Sequence, residues 1–197
     1  MNTNPQGGTM YNKEFKGDVC SHTGAFFLDN FIRRIIQNPQ KIVGEYIRQG
    51  DTIVDLGCGP GYFALDMAKM TGKTGKVIAV DLQKEMLAKV AKKAAAQNLS
   101  ERIFLHRCDQ DKIGLPPETK ADFILAFYMV HETPDTEAFL RQVKELLKPA
   151  GRFLLVEPMF HVSKNQFATI LDTAKKTGFN RVDMPKKKGG RSVLLSI

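Results

Sequence analysis

The sequence predicts an α/β domain, a doubly wound, mostly parallel sheet with helices on both faces. Three observations predict it. From Asp51 onward short apolar runs alternate with helical patterns, which is how βαβ units read. A glycine-rich turn, Gly57-Cys58-Gly59-Pro60-Gly61, follows the first of those runs and leads into a helix. The tail then changes character, with two strand-like segments flanking a lysine- and glycine-containing turn, so the sheet is expected to finish on an antiparallel strand.

Taken in order, the chain opens with a polar segment. An amphipathic helix follows, with Phe27, Leu28, Phe31, Ile32, Ile35 and Ile36 as its apolar stripe and Pro39 as its end. A short second helix is expected from Ile42 to Ile47. Strand length and β-forming content mark Thr52 to Leu56, Lys76 to Val80, Arg102 to Arg107, Asp122 to Phe127 and Arg152 to Val156. Between them, Leu82, Met86, Val90 and Ala94 recur every four residues. Phe139, Leu140, Val143, Leu146 and Leu147 trace a second helix, opening near Thr133-Pro134-Asp135 and closing at Lys148-Pro149-Ala150-Gly151. A further helix begins at Ser163, with Gln166 as its capping-box partner, and stops at Gly178. Phe179 to Met184 and Ser192 to Ile197 read as the closing strand pair. No repeat or linker divides the 197 residues, so residues 1–50 and 51–197 are read as one domain.

Composition narrows the class. The formal charge of +8 favours anionic partners in general. The basic residues are dispersed, however, and the aromatic interleaving of a base-stacking platform is missing, which disfavours nucleic acid. Cys20, Cys58 and Cys108 are odd in number and widely spaced, as reduced thiols would be, and no metal is expected. Neither a signal-like segment nor an apolar run of about 20 residues is present, so a cytoplasmic protein without a membrane span is expected.

Chemistry concentrates at strand ends, where open parallel sheets bind ligands. The glycines remove Cβ atoms where the chain bends and a ligand must come close, and the helix after Pro60 aims free N–H groups at the same place. A dinucleotide fingerprint requires a third glycine where this chain has Tyr62. A nicotinamide-dependent oxidoreductase is therefore the rival enzyme reading, and a silent cofactor-binding module the non-enzymatic one. Asp55 lies two residues ahead of the turn, where it favours a cationic ligand. Asp81 ends the second strand 20 residues beyond Gly61, placed either to accept both hydroxyls of a ribose or to cap the next helix. Asp109 and Gln110 follow the third strand, from which a carboxylate or amide can meet an adenine amino group. Asp111 competes with Asp109 for that role or caps the next turn.

Ile53 to Gly61, Val77 to Asp81, Cys108-Asp109 and Asp122 to His131 together resemble the class I S-adenosylmethionine-dependent methyltransferases, over about Asp51 to Ile197. The resemblance implies a seven-stranded sheet with the last strand antiparallel and S-adenosylmethionine as cofactor. It places the methionine part against Asp55, Gly57, Cys58, Gly59, Gly61 and Ala126, the ribose on Asp81, and adenine among Leu82, Asp109 and Gln110. Residues 1–50 become a lid.

Methyl transfer from a sulfonium needs positioning more than covalent help, and a base only where the acceptor must lose a proton. His131 and Glu132 after the fourth strand, and Glu157 and His161 after the fifth, are the candidates facing an acceptor; each also has a structural reading as a cap or loop-amide partner. His106, inside a strand, is read as structural. No Asn-Pro-Pro-Tyr-like motif and no acidic metal pair follow the fourth strand, which disfavours amide-nitrogen and magnesium-dependent catechol chemistries. The expected acceptor is a small molecule, with RNA or protein as the alternative.

Overall fold

The computed structural model describes residues 37–187 and 189–197. The expected helix at Phe27 to Ile36, and the lid as far as residue 36, lie outside them. A short helix α1 (Pro39–Val43) runs into a 3-10 turn at Gly44–Tyr46. Then come β1 (Thr52–Leu56), α2 (Tyr62–Met70), β2 (Lys76–Asp81), α3 (Lys84–Ala96), β3 (Ile103–Arg107) and β4 (Ala121–Phe127). A second 3-10 turn at Val130–Glu132 precedes α4 (Thr136–Leu146), β5 (Leu147–Pro158), α5 (Lys164–Lys176), β6 (Asn180–Asp183) and β7 (Gly190–Ser196).

The seven strands form one sheet in the order β3-β2-β1-β4-β5-β7-β6. β7 runs antiparallel to β5 and β6, while the β1–β2, β2–β3, β1–β4 and β4–β5 pairs are parallel. From β1 the chain winds outward through β2 and β3, then returns to start the other half at β4. The order therefore reverses between β1 and β4, and a crevice opens beyond their carboxyl ends.

Strands buried on both faces should be apolar almost throughout. β1 obeys this at Ile53, Val54 and Leu56. Ile53 joins a core with Phe63, Met67 and Val90 on the α2–α3 face; Val54 and Leu56 join another with Leu140, Val143 and Ile170 on the α4–α5 face. The exception is Asp55, a carboxylate in the middle of an apolar run. Helix ends follow their caps: Asp135 accepts from the Ala138 amide at 2.9 Å, and Ser163 and Gln166 form the expected capping box.

Several boundaries differ from the sequence reading. Pro39 stands at the start of α1, where its missing N–H costs nothing; the helix it is expected to end lies outside the described residues. The α-helical part of the expected Ile42 to Ile47 segment ends at Val43. α2 starts at Tyr62 with Gly61 as its cap. α4 stops at Leu146 and β5 begins at once, because Leu147 pairs with Ala121 before the register shifts between Ala121 and Phe123. At its other end β5 continues through Glu157 and Pro158, paired with Arg191 and Gly190 of β7, so Glu157 belongs to the strand and does not follow it. β3 closes at Arg107 and leaves Asp109 and Gln110 in an exposed turn.

Candidate functional site

The turn after β1 is held in a conformation suited to glycine. Gly57, Gly59 and Gly61 have φ of +68°, +52° and +85°, in the left-handed region that a Cβ disfavours. A Cβ on Gly57 would meet the Met129 side chain at 3.0 Å and one on Gly61 would meet Val90 at 3.1 Å, whereas a Cβ on Gly59 would touch nothing within 4 Å. Gly57 and Gly61 are thus glycines for packing, and Gly59 faces open space. Cys58 between them is buried, with its N–H on the Val80 carbonyl at 3.0 Å. Burial, with Asp55 and Asp81 nearby, pushes its thiol well above the usual range.

Asp55 sits under this turn. The period of the strand directs it to the α2 face, where the Ala64 amide in the first turn of α2 donates to its carboxylate. Gly61 has no side chain to cap that helix, and Asp55 supplies an acceptor from the strand instead. Its Oδ2 is buried without a hydrogen-bond partner among the described residues. Burial, and then the Asp81 charge, push its carboxyl up to about 8.

Asp81 ties the second strand to the turn: Oδ2 accepts from the Gly59 amide and Oδ1 from the Gln83 amide, both at 2.8 Å. The cap of α3 is Gln83, so the helix-cap alternative for Asp81 gives way to a brace between strand and glycine turn. Leu82 is half-buried beside it, Ala126 is fully buried on β4 opposite Leu56, and Cys108 donates its amide to the Asp81 carbonyl at 3.2 Å. Asp109 donates its own amide to the Lys112 carbonyl at 3.0 Å.

At the neighbouring strand ends, pairing of Phe127 with Val156 brings the residues beyond them together. His131 Nδ1 stands 2.5 Å from Glu157 Oε2, and the His131 amide donates to Glu157 Oε1 at 3.2 Å. Glu157 is wholly buried, whereas the His131 side chain is 26% exposed. The Glu157 carboxylate fixes the imidazole as the Nδ1–H tautomer and leaves the Nε2 lone pair outward. That hydrogen bond raises the His131 pKa above its ordinary value, against the opposing effect of burial. Glu132 Oε1 lies 3.9 Å from Nε2, and the His161 ring stacks with its centroid 6.3 Å away. Burial raises the Glu132 carboxyl as well. Three of the four acceptor-side candidates thus surround the fourth, His131. His106, half-buried on the edge strand β3, has Nε2 2.8 Å from the Ile113 carbonyl.

Sequence reasoning missed two residues here. Tyr128 leaves β4 with φ of +62°, a strained conformation for a tyrosine, and Met129 covers Gly57. Strain of this kind has no local sequence signal. The Met129 contact follows from the adjacency of β1 and β4.

A glycine turn at the switch point of a parallel sheet, carrying two buried acids instead of phosphate-binding cations, defines a Rossmann-like domain for a cationic nucleoside cofactor. The chain belongs to the methyltransferase domain family, whose model matches residues 47–190. This sets aside the nicotinamide-dependent alternative, in keeping with Tyr62, which is buried where that fingerprint needs glycine and donates its hydroxyl to the Gln37 carbonyl at 2.9 Å.

Among solved structures, a SAM-dependent methyltransferase from Aquifex aeolicus superposes with a TM-score of 0.78 at 25% identity, covering 89% of this chain and 97% of that one. A methyltransferase-fold structure from Methanococcus maripaludis gives 0.75 at 19% identity, over 96% and 97%. A demethylmenaquinone methyltransferase from Lactobacillus johnsonii is 31% identical over 112 residues, 56% of this chain and 45% of its own length. One from Lactococcus lactis is 32% identical over 129 residues, 61% and 50% respectively. The chain spans about half the length of these curated relatives.

The residues present fit S-adenosylmethionine. A sulfonium and an ammonium suit the unpaired Asp55 oxygen and the Asp81 charge beside it, and Gly59 leaves space for the ligand to approach the backbone. Among the described residues no helix is long and apolar enough to cross a membrane.

Proposed function

We propose that the chain transfers the methyl group of S-adenosylmethionine to a small-molecule acceptor in the cytoplasm, where free thiols such as Cys58 and Cys108 persist. The observation that carries this reading is the Asp55 carboxyl, buried without a partner for Oδ2 under a glycine turn. An anionic pyrophosphate would be repelled there, and a cation relieves the desolvation. In this reading Asp55, Gly57, Cys58, Gly59, Gly61 and Ala126 line the methionine portion, with Asp81 on the ribose hydroxyls. Leu82, Asp109 and Gln110 flank adenine, and residues 1–50 serve as a lid. When bound, the cofactor supplies an electrophilic methyl group; the chain's own task is to bind it, orient the acceptor in line with it and exclude water.

The names of the relatives make a reduced naphthoquinone the first acceptor to try. Calorimetry should detect S-adenosylmethionine and S-adenosylhomocysteine binding, and 1,4-dihydroxynaphthalene should drive S-adenosylhomocysteine release. Folded protein that binds neither nucleoside would refute the cofactor assignment. Turnover confined to RNA or protein would refute the small-molecule one.

A further inference from the structure

We infer that His131 is a general base for the acceptor, held by Glu157 as a positioning residue, and that the acceptor therefore belongs to the class whose nucleophile appears on loss of a proton: phenols, enols and thiols rather than amines. The inference rests on the methyl-transfer reading above and deepens it.

Glu157 is wholly buried, yet both its oxygens are directed at one residue, Oε2 to His131 Nδ1 and Oε1 to the His131 amide. Burying a carboxylate is costly unless it is paired, and a pair formed merely for stability would do as well with both members inside. Here the histidine is a quarter exposed, so the carboxylate orients a ring that remains open to the outside, with Glu132 Oε1 3.9 Å from its other nitrogen. His131 lies beyond the carboxyl end of β4, two residues after Met129, whose side chain covers Gly57 of the glycine turn. The groups facing the imidazole are Glu157 from β5, Glu132 from its own turn and His161 from the segment before α5. Glu157 first, and Glu132 beside it, stabilise positive charge on the ring at the moment it takes up a proton.

The step balances as follows. The acceptor X–H gives its proton to Nε2 and keeps the bonding pair, which forms the X–CH3 bond. The carbon–sulfur bond breaks with its pair left on sulfur, so the sulfonium becomes a neutral thioether. His131, now an imidazolium beside Glu157, returns the proton to solvent. No oxidant or metal is required.

The test combines kinetics with NMR on the full chain. H131A leaves the buried Glu157 without its side-chain partner and should be less stable than wild type, whereas H131N keeps a side-chain N–H for it; both, where folded, should bind S-adenosylmethionine like wild type while kcat with 1,4-dihydroxynaphthalene or thiophenol falls about 100-fold or more. In wild type kcat should rise with pH through a pKa above 6.5, since the base must be neutral, and E157Q should move that limb to lower pH because the charge that raises it is gone. Nitrogen NMR of histidine-labelled protein should show His131 as the Nδ1–H tautomer, whatever acceptor is supplied. The inference is overturned if H131A or H131N keeps kcat within about threefold of wild type, if amines alone are methylated, if E157Q leaves the limb in place, or if the neutral ring carries its proton on Nε2. Wild type failing to bind S-adenosylmethionine would instead sink the cofactor reading, which calorimetry on the same samples distinguishes.

Discussion

Replacing Asp55 with asparagine should make the ligand-free protein more stable at neutral pH and worse at holding its cofactor. Burial, and after it the Asp81 charge, push the Asp55 carboxyl up from 3.8 to about 8. A folded-state pKa above the unfolded one means that folding takes up a proton: the stability is fully present below 3.8 and is lost as pH rises toward 8. At pH 7, roughly 3 units above the ordinary value, that loss is about 4 kcal/mol at 1.36 kcal/mol per unit. Asparagine keeps an oxygen for the Ala64 amide and cannot ionise, so D55N should gain up to about 4 kcal/mol at pH 7. Urea unfolding of both proteins at pH 4.5 and 7.5 measures this. The stability difference should widen by about 2 kcal/mol or more between the two pH values. A difference that stays constant would refute the view that Asp55 is a desolvated acid held for a ligand. So would a D55N protein that binds S-adenosylmethionine as tightly as wild type.

Two further outcomes follow from the same turn. Gly59→Ala and Gly61→Ala each place a side chain at positive φ, a cost of about 1 to 2 kcal/mol. Only at Gly61 would the new Cβ also meet Val90, at 3.1 Å. Thermal unfolding should therefore penalise G61A more, while calorimetry with S-adenosylmethionine should penalise G59A more, since its methyl occupies the open side of the turn; the reverse order would contradict the division of roles. The raised thiol pKa of Cys58, and the smaller rise at Cys108, should make both slow to react with iodoacetamide at pH 7.5, with Cys58 the slower. Mass spectrometry showing Cys58 alkylated first would mean that the turn opens to solvent.

The glycine turn and the strands beside it were legible because two signals coincide there. Central parallel strands are uniformly apolar, and β1 comes out at the expected Thr52–Leu56. The early start of β5 was hidden because Pro149-Ala150-Gly151 reads as a breaker, yet these residues lie within a strand whose first pairing is to Ala121. Glu157 reads as a loop residue for the opposite reason, since it is pairing with Arg191 of β7, and of Pro158 with Gly190, that reveals the strand continuing. The sequence marks His131, Glu157 and His161 singly, each by its place near a strand end. Their meeting depends on β4 and β5 being neighbours in matched register, a long-range fact that no local pattern carries. Asp55 was noticed for its charge, but its orphaned oxygen becomes visible only when α2 closes over it.

The overall charge of the chain points the wrong way at this site, and distance explains why. A formal +8 is a sum over the whole chain, and the field of exposed charges is screened beyond about 8 Å at physiological ionic strength. Asp55 and Asp81 are buried at the turn itself, and a cation about 4 Å from an ionised carboxylate gains about 4 kcal/mol at an effective dielectric near 20, enough to draw the proton from Asp55 as the ligand binds. The glycine backbone alone would serve a phosphate as readily as a sulfonium, because it only offers space and N–H groups. One of those N–H groups, on Gly59, is already taken by Asp81. The acids therefore do two things at once: they remove a donor that a phosphate would need and set the sign of charge the site prefers. A geometry shared with dinucleotide-binding turns is thereby converted to a cationic ligand by two side chains, Asp55 and Asp81.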